Sequence, residues 1–340
     1  MSILSPHRDL VPGARPARWQ RLVAEAIRDP AELCRLLSLP DELAAAARRA
    51  GGDFGLFVPR AFAAKMRPGD PHDPLLVQVL PVADESLRAE GFRRDPVGDR
   101  HATIAPGLLH KYHGRALLVA TGACAVHCRY CFRRHFAYDQ SPHGLPQWEP
   151  ALAKLAADPS IAEVILSGGD PLMLVDSQLT QLAARLAVID HLQRLRVHTR
   201  MPIVVPERVD AALLDWLTGS RLQPIVVVHA NHPRELDAPV VAALARLADA
   251  GVMLFNQAVL LRGVNDNADT LVELCERLLA ARVVPYYLHQ LDRVAGAAHF
   301  EVPPADGQRL VDELRARLPG YAMPRFVREV AGAPFKQPLA

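Results

Sequence analysis

Apolar and polar residues follow two different rhythms along the chain, and the change falls near residue 115. From Trp19 to Ala50 the apolar residues recur at helical spacing, and Pro30 and Pro40 stand where short helices would begin. The proline-rich stretch from Phe57 to Pro81 favours an extended connection that wraps over the body of the protein. The pattern predicts a helical and wrapping N-terminal region over residues 1–95.

After residue 115, short apolar or β-branched runs alternate with longer amphipathic stretches. The predicted strands are 116–121, 163–167, 195–199, 225–229, 252–260 and 283–289, and the predicted helices are 177–189, 206–217, 239–250, 269–281 and 304–318. Consecutive βα units require parallel strands joined by right-handed crossovers. The predicted fold class is therefore α/β, a partial (β/α)6 TIM-like barrel over residues 96–318. A C-terminal segment, 319–340, follows, with a further short strand at 325–330.

Polar signatures stand at the ends of the predicted strands. In chain order they are the cysteine loop, SGGD, HTRMP, HANHP, NQAVLLRG and HQLDR. In barrels of parallel strands the carboxyl-terminal rim carries the chemistry. The regular placement predicts one shared active site at that rim.

Charge and composition exclude several kinds of partner. The formal net charge is +2, and no run of Lys or Arg points to nucleic acid. The first residues lack the apolar segment of a signal peptide, and no stretch approaches the length that spans a bilayer. We therefore expect a cytoplasmic protein with neither a membrane nor a nucleic-acid partner.

Three of the five cysteines lie within eight residues, at the C-x3-C-x2-C spacing of Cys124, Cys128 and Cys131. Three thiolates on one compact loop can hold three irons of a cubane cluster and leave a fourth iron without a protein ligand. A structural zinc site is the alternative, but zinc would need a fourth ligand such as His127 or His135. The two remaining cysteines, Cys34 and Cys275, stand in helical apolar patterns and are expected to be small buried hydrophobic residues.

Six segments of the chain resemble one family. The segments CRYCFRRHF, ILSGGDPL, VHTRMPIVVPERV, HANHP, NQAVLLRGVND and GYAMPRFVREVAGAPFKQPL resemble the lysine 2,3-aminomutase family of radical S-adenosylmethionine (SAM) enzymes. In particular, they are similar to its short EpmB type, which acts for elongation factor P. The resemblance covers the chain from about Phe57 onward. It implies a radical SAM barrel that holds a [4Fe-4S] cluster, S-adenosylmethionine and pyridoxal 5'-phosphate.

The resemblance also implies roles for individual residues. Lys336 matches the family lysine that forms a Schiff base with pyridoxal phosphate, although a lone lysine there would otherwise be typical of a solvated tail. Arg133 matches the arginine that binds the substrate carboxylate, and Asp292 and Glu329 match two acidic residues that bind the distal ammonium. The free-lysine enzymes carry Asp at the second acidic position, so Glu329 departs from their pattern.

The remaining implied contacts are to the two coenzymes. Residues expected at the coenzyme phosphate are Lys111, Tyr112 and Arg115, which on sequence grounds could equally be surface residues. Residues expected to bind S-adenosylmethionine are Ser167, Gly168, Gly169, Asp170, Arg200, His229 and Gln257. By itself a GGD turn is weak evidence, and a lone histidine is more often a hydrogen-bonded core residue.

The implied activity is that of an isomerase that converts L-lysine to (R)-β-lysine, which a separate lysyl ligase attaches to elongation factor P. An external one-electron reductant of the flavodoxin or ferredoxin type is also implied. Two features favour this type over catabolic aminomutases: the sequence ends four residues after Lys336, and Asn267 stands where those enzymes have a zinc-ligand cysteine. An aminomutase for free lysine or another amino acid, and a noncatalytic iron-sulfur scaffold, are the alternatives. Homo-oligomerisation is left open.

Overall fold

Parallel strands form the centre of one mixed sheet. The computed structural model describes residues 16–138, 142 and 144–340. Within them the strands are β1 Thr103–Ala105, β2 Leu108–Tyr112, β3 Arg115–Thr121, β4 Glu163–Gly168, β5 Arg194–Thr199, β6 Gln223–Val228, β7 Met253–Val259, β8 Val284–His289, β9 Arg325–Arg328 and β10 Gln337–Pro338. They lie side by side in chain order, with β3 to β9 parallel and the outer strands antiparallel. This open sheet confirms the α/β partial barrel, and the short strand expected at 325–330 is β9.

Helices connect the parallel strands and form the N-terminal region. Among the described residues they are α1 Arg18–Ala24, α2 Pro30–Leu36, α3 Asp41–Gly51, α4 Arg60–Ala63, α5 Leu145–Ala157, α6 Asp176–Ala187, α7 Met201–Val204, α8 Ala211–Thr218, α9 Ala238–Asp249, α10 Ala268–Ala280 and α11 Pro304–Arg315. Pro30 is the first residue of α2, whereas Pro40 lies just before α3. The fixed φ of proline suits both positions.

Two predicted elements differ from the structure. The helix expected over 206–217 is a 3-10 turn, Pro206–Arg208, followed by α8. The break arises because the Asp210 carboxylate accepts a hydrogen bond from the Leu213 amide at 3.0 Å and so starts a new helix. The stretch expected to be extended, 57–81, contains α4 and a series of turns.

The core extends from the barrel into the N-terminal helices. Strands such as β6, with Val226, Val227 and Val228 buried, show the β-branched runs of parallel strands covered on both faces. Trp19 and Val23 of α1 belong to the same cluster of buried residues as these strands. The division at residues 95 and 318 stays a prediction. In the described part of the chain, no helix combines the length and apolarity needed to cross a membrane.

Candidate active site

The polar loops that follow the parallel strands surround one cavity of about 280 Å³. Parallel strands end at the same edge of a sheet, so their loops meet there. Every predicted site residue lines this cavity: Lys111, Tyr112, Arg115, Cys124, Cys128, Cys131, Arg133, Ser167, Gly168, Gly169, Asp170, Arg200, His229, Gln257, Asp292, Glu329 and Lys336. The predicted residues therefore share one cavity, while the role of each residue stays a prediction.

The three clustered cysteines follow β3 and line the cavity as free thiols. Burial, together with repulsion from Cys128, raises the pKa of Cys131 to about 11, and burial with the neighbouring thiols raises the pKa of Cys124. Thiolates at this spacing therefore need a strong positive partner, which a bound iron-sulfur cluster supplies. The clustering of three thiols on one loop at the cavity fits such a group.

Buried charged side chains hold the cysteine loop. Arg129 is fully buried and pairs with the Glu85 carboxylate, which also receives a hydrogen bond from Arg134 at 2.6 Å. Arg134 also donates to the Gly296 carbonyl at 3.1 Å. The buried carboxylate of Glu85, shared by two guanidinium groups, thus joins the cysteine loop to the N-terminal region.

The glycine turn after β4 packs directly against the cysteine loop. The Gly169 amide donates to the Thr121 carbonyl at 2.7 Å, and the Asp170 amide donates to the Ala123 carbonyl at 2.7 Å. A Cβ on Gly169 would overlap the Ala123 carbonyl group, and Gly168 has a φ of +117°. Only glycine allows this close approach. The turn thus has a structural role besides lining the cavity.

Asp170 and Arg200 serve as fixed supports of the cavity wall. Asp170 accepts hydrogen bonds from Thr199 Oγ1 at 2.7 Å and from the amides of Arg200 and Met201 at 2.7 and 3.1 Å. The Arg200 guanidinium donates to Cys128 Sγ and to the fully buried Glu235 carboxylate, each at 2.8 Å. Arg200 therefore places positive charge beside a cluster cysteine.

Lys336 and Glu329 are brought together by the last hairpin. Glu329 directly follows β9 and Lys336 directly precedes β10, and Gln337 pairs with Arg328 in the antiparallel ladder. Gly332 in the connecting turn has a φ of +78°. The Lys336 ammonium forms an ion pair with the Glu329 carboxylate within the cavity.

Three further ion pairs extend this contact across the cavity. The Lys111 ammonium lies 3.2 Å from Glu329 Oε1 and 2.7 Å from Asp99 Oδ1. The other oxygen of Asp99 accepts from Arg133 Nε at 2.8 Å. We call the series Arg133, Asp99, Lys111, Glu329 and Lys336 the charge chain, because positive and negative groups alternate along it.

The two acidic residues expected at the distal ammonium have opposite electrostatic environments. Burial, reinforced by Glu329, raises the pKa of Asp292 to about 7. Burial also acts to raise the pKa of Glu329, but the ammonium groups of Lys336 and Lys111 lower it to about 2. Near neutral pH, Glu329 is ionised and Asp292 titrates.

The residues expected at the coenzyme phosphate lie beside the charge chain. The Arg115 guanidinium stands over the Tyr112 ring at 4.7 Å. Lys111 also donates hydrogen bonds to the Val97 carbonyl at 2.9 Å and to Glu329, besides its ion pair with Asp99. Nearby, His198 Nε2 and His289 Nε2 are buried without a hydrogen-bond partner among the described residues. Unpaired ring nitrogens on a cavity wall fit a polar ligand such as pyridoxal phosphate.

His229 and Gln257 also line the cavity. The His229 ring lies 5.9 Å from the His198 ring in an edge-to-face arrangement, and burial lowers the pKa of His229 to about 4. Gln257 follows an irregularity in the pairing of β7 with β8 and belongs to the cavity lining. Both are neutral polar contacts suited to a nucleoside rather than to a charged group.

Sequence reasoning missed several lining residues, of which Asp99 is the most connected. Its side chain is only 3% exposed, yet it stands in a loop with no pattern that marks it. Tyr287 and His289, on β8, were likewise not singled out, although His289 is the first residue of the HQLDR motif that supplies Asp292. The available signal was that Tyr287 and His289 flank buried Leu288, since successive side chains of a strand point to opposite faces of the sheet.

The residues set aside in the sequence have local structural roles. Cys34 and Cys275 are buried in α2 and α10, as expected for small hydrophobic residues. The side chain of Asn267 accepts a hydrogen bond from the Thr270 amide at 2.9 Å. Asn267 is therefore the N-cap of α10.

Comparison with known proteins identifies the family. Residues 118–275 match the model of the radical SAM superfamily. The chain is 48% identical to the L-lysine 2,3-aminomutase of Escherichia coli (strain K12) and 44% identical to that of Haemophilus influenzae, with 94% of each chain covered in both cases. It is 35% identical to the L-lysine 2,3-aminomutase of Clostridium subterminale over 95% of this chain and 77% of that one. Identity of this extent over nearly the whole length shows that the chain belongs to the L-lysine 2,3-aminomutase family of radical SAM proteins.

Proposed function

We propose that this protein is an isomerase that moves the α-amino group of L-lysine to the neighbouring carbon and forms (R)-β-lysine. The observation that carries the proposal is the convergence, on one cavity, of three free thiols, Lys336 and binding groups for both ends of lysine. Neither an electron-transfer protein nor a scaffold needs a lysine and two carboxylates on the cavity wall. Family membership supports the same activity.

Cys124, Cys128 and Cys131 would hold a [4Fe-4S] cluster through three of its irons. The cluster and S-adenosylmethionine together supply a 5'-deoxyadenosyl radical, and pyridoxal phosphate supplies an electron-delocalising ring. The protein positions these groups. The glycine turn brings the backbone of Ser167, Gly168 and Gly169 close to the cysteine loop, and Asp170 supports this turn. Further contacts to S-adenosylmethionine come from Arg200, His229 and Gln257.

Lys336 holds pyridoxal phosphate, and the phosphate contacts come from Lys111, Tyr112 and Arg115. In the part of the chain that the structure describes, no carboxylate pairs with Arg115, whereas Lys111 already contacts Val97, Asp99 and Glu329. Binding of a phosphate by Lys111 replaces its contact with the Val97 carbonyl, and the ion pairs with Asp99 and Glu329 stay in place. The hairpin that carries Lys336 fixes the coenzyme relative to Glu329.

Lysine is held at both ends. Arg133 binds the carboxylate, since its planar guanidinium can donate two parallel hydrogen bonds. Asp292 and Glu329 bind the distal ammonium, and their negative charge selects against amino acids with an uncharged side-chain end. Fixing both ends sets which carbon faces the reacting groups.

The product is used for post-translational modification of elongation factor P through a separate lysyl ligase. The sequence resemblance to the EpmB type supports this role, as does Glu329 in place of the aspartate of the free-lysine enzymes. A flavodoxin or ferredoxin type protein supplies the electron. Free thiols and a reducible cluster are suited to the cytoplasm.

The test is anaerobic incubation of the reconstituted protein with a reductant, S-adenosylmethionine and L-lysine, followed by chiral chromatography of the products. We expect (R)-β-lysine, and none with Lys336→Ala or Cys131→Ala. Asp306→Asn, which alters an exposed ion pair with Arg309 far from the cavity, is the control. Preferential isomerisation of glutamate would overturn the substrate assignment. A cluster without cleavage of S-adenosylmethionine would favour a scaffold.

A further inference from the structure

Asp99 occupies a central position that none of the assigned roles uses. It lies between Arg133, at the proposed carboxylate site, and Lys111, which also contacts Glu329 at the proposed ammonium site. Each carboxylate oxygen of Asp99 has its own cationic partner. The two ends of the substrate site are therefore joined by a continuous series of ion pairs.

Asp99 is also held rigidly by its backbone. Its amide donates to Asp95 Oδ1 at 3.0 Å. The preceding Gly98 has a φ of +70°, and a Cβ there would lie 3.0 Å from the Ala331 Cβ. The loop of Asp99 thus packs against the hairpin that carries Glu329. Because Asp99 is held in place, a change in its attraction to one cation alters its attraction to the other cation without any movement of Asp99.

Each cation of Asp99 has a second partner in the cavity: Lys111 contacts Glu329 at the proposed ammonium site, and Arg133 contacts Ser167. Arg133 uses Nε for Asp99 and Nη1 for Ser167 Oγ at 3.1 Å. When a substrate carboxylate binds Arg133, the positive charge of the guanidinium is shared between that carboxylate and Asp99, so Arg133 attracts Asp99 less strongly. Asp99 then attracts Lys111 more strongly, and Lys111 is shared less with Glu329. Because these groups are largely shielded from water, the redistribution is weakly screened.

We infer that Asp99 is a specificity-determining positioning residue, which makes binding of a carboxylate at Arg133 favour binding of an ammonium at Glu329. The inference rests on the proposed function, because it takes lysine as the ligand of the cavity. The inference goes beyond the proposed function, because it makes binding at the carboxylate site and binding at the ammonium site depend on each other. An amino acid with both groups is favoured beyond the sum of its separate contacts.

The test measures this coupling with four amines that differ only in the two groups. L-lysine has both, cadaverine lacks the carboxylate, norleucine lacks the distal ammonium, and pentylamine lacks both. Dissociation constants are taken from the change in visible absorbance of protein loaded with pyridoxal phosphate, without S-adenosylmethionine, so that no turnover occurs. The coupling factor is the product of the constants for cadaverine and norleucine divided by the product for lysine and pentylamine.

In the unaltered protein we expect a coupling factor of about ten or more, within the usual range for coupled sites. Asp99→Asn keeps the size and an acceptor oxygen but removes the charge, and the factor is expected to fall to about one to three. Asp99→Glu retains the charge and is expected to retain most of the coupling. Asp306→Asn is the matched control for loss of an aspartate paired with an arginine, and leaves the factor unchanged. The statistical factor of two for symmetrical cadaverine cancels between variants.

An equal coupling factor in Asp99→Asn and the unaltered protein would overturn the inference, even if both bind lysine tightly. Uniform weakening of all four amines, at constant coupling, would show a merely structural role and would overturn it as well. If Asp99→Asn retains the coenzyme poorly, the four amines are compared at a saturating concentration of pyridoxal phosphate, and the same loss of coupling is expected. Absence of any spectral response to all four amines in the unaltered protein would refute both this inference and the proposed function.

Discussion

Activity should rise with pH through the ionisation of Asp292. Burial and the neighbouring Glu329 carboxylate raise the pKa of Asp292 to about 7, so near pH 6 about a tenth of the protein has this carboxyl ionised. A protonated carboxyl cannot form an ion pair with the distal ammonium of lysine. We therefore expect kcat/KM for lysine to fall about tenfold for each pH unit below 7 and to be level above it.

Protein stability should change with pH in the opposite direction. The carboxyl of Asp292 has its ordinary pKa of 3.8 in the unfolded chain, and its pKa rises to about 7 in the fold. The stabilisation that comes from keeping its proton is complete below 3.8 and is lost as the pH rises through 7. A difference of about three units between the pKa of Asp292 in the unfolded chain and in the fold corresponds to at most about 4 kcal/mol of unfolding free energy. The lysine-free protein is thus less stable at pH 8 than Asp292→Asn.

The assay is a pH profile of kcat/KM between about pH 5.5 and 9, with thermal unfolding of the lysine-free protein over the same range. Asp292→Asn is expected to have kcat/KM about 100-fold lower at pH 8, to lose the acid limb, and to unfold at a higher temperature there. Asp306→Asn should reproduce the unaltered profile. An acid limb with its midpoint near pH 4, or one that persists in Asp292→Asn, would refute the reasoning.

Three further substitutions test structural claims. Gly169→Ala forces a Cβ into the Ala123 carbonyl group of the cysteine loop, so the iron content after reconstitution should fall severalfold. The control is Gly320→Ala, whose added Cβ has nothing within 4 Å and should leave the iron content unchanged. Arg200→Met leaves the buried Glu235 without its guanidinium partner, and denaturant unfolding should show a loss of about 3–5 kcal/mol; a loss below about 1 kcal/mol would contradict this role. Asn267→Ala removes a helix cap, and thermal unfolding should report a loss of about 1 kcal/mol with lysine turnover unchanged; lost turnover would point to a role beyond capping.

The parallel strands and the site could be predicted because their signals are local. Each strand is a short buried run, such as Ile225 to Val228, followed by a polar loop, and the cysteine spacing is contained in one loop. The outer antiparallel strands β1, β2 and β10 were missed. In β1 the reason is that Thr103 and Ile104 are exposed and show no apolar alternation.

The connections within the site could not be predicted, because they join residues far apart in the chain. Lys111 and Glu329 are separated by 218 positions, and no pattern near either one specifies the other. The same holds for Asp99, whose importance is set by two cations that reach it from different strands and loops. The dual use of Gly169 was equally hidden, since a glycine turn looks the same whether it faces a ligand or a backbone.

The contact between the glycine turn and the cysteine loop means that neither motif is a portable unit. Two backbone hydrogen bonds, from Gly169 and Asp170 to Thr121 and Ala123, join segments that follow neighbouring strands. An attempt to transplant the three cysteines into another scaffold would have to bring both strand ends along, in the same register. Substitutions in the glycine turn are limited by the shape of the cysteine loop, and substitutions in the cysteine loop by the shape of the glycine turn.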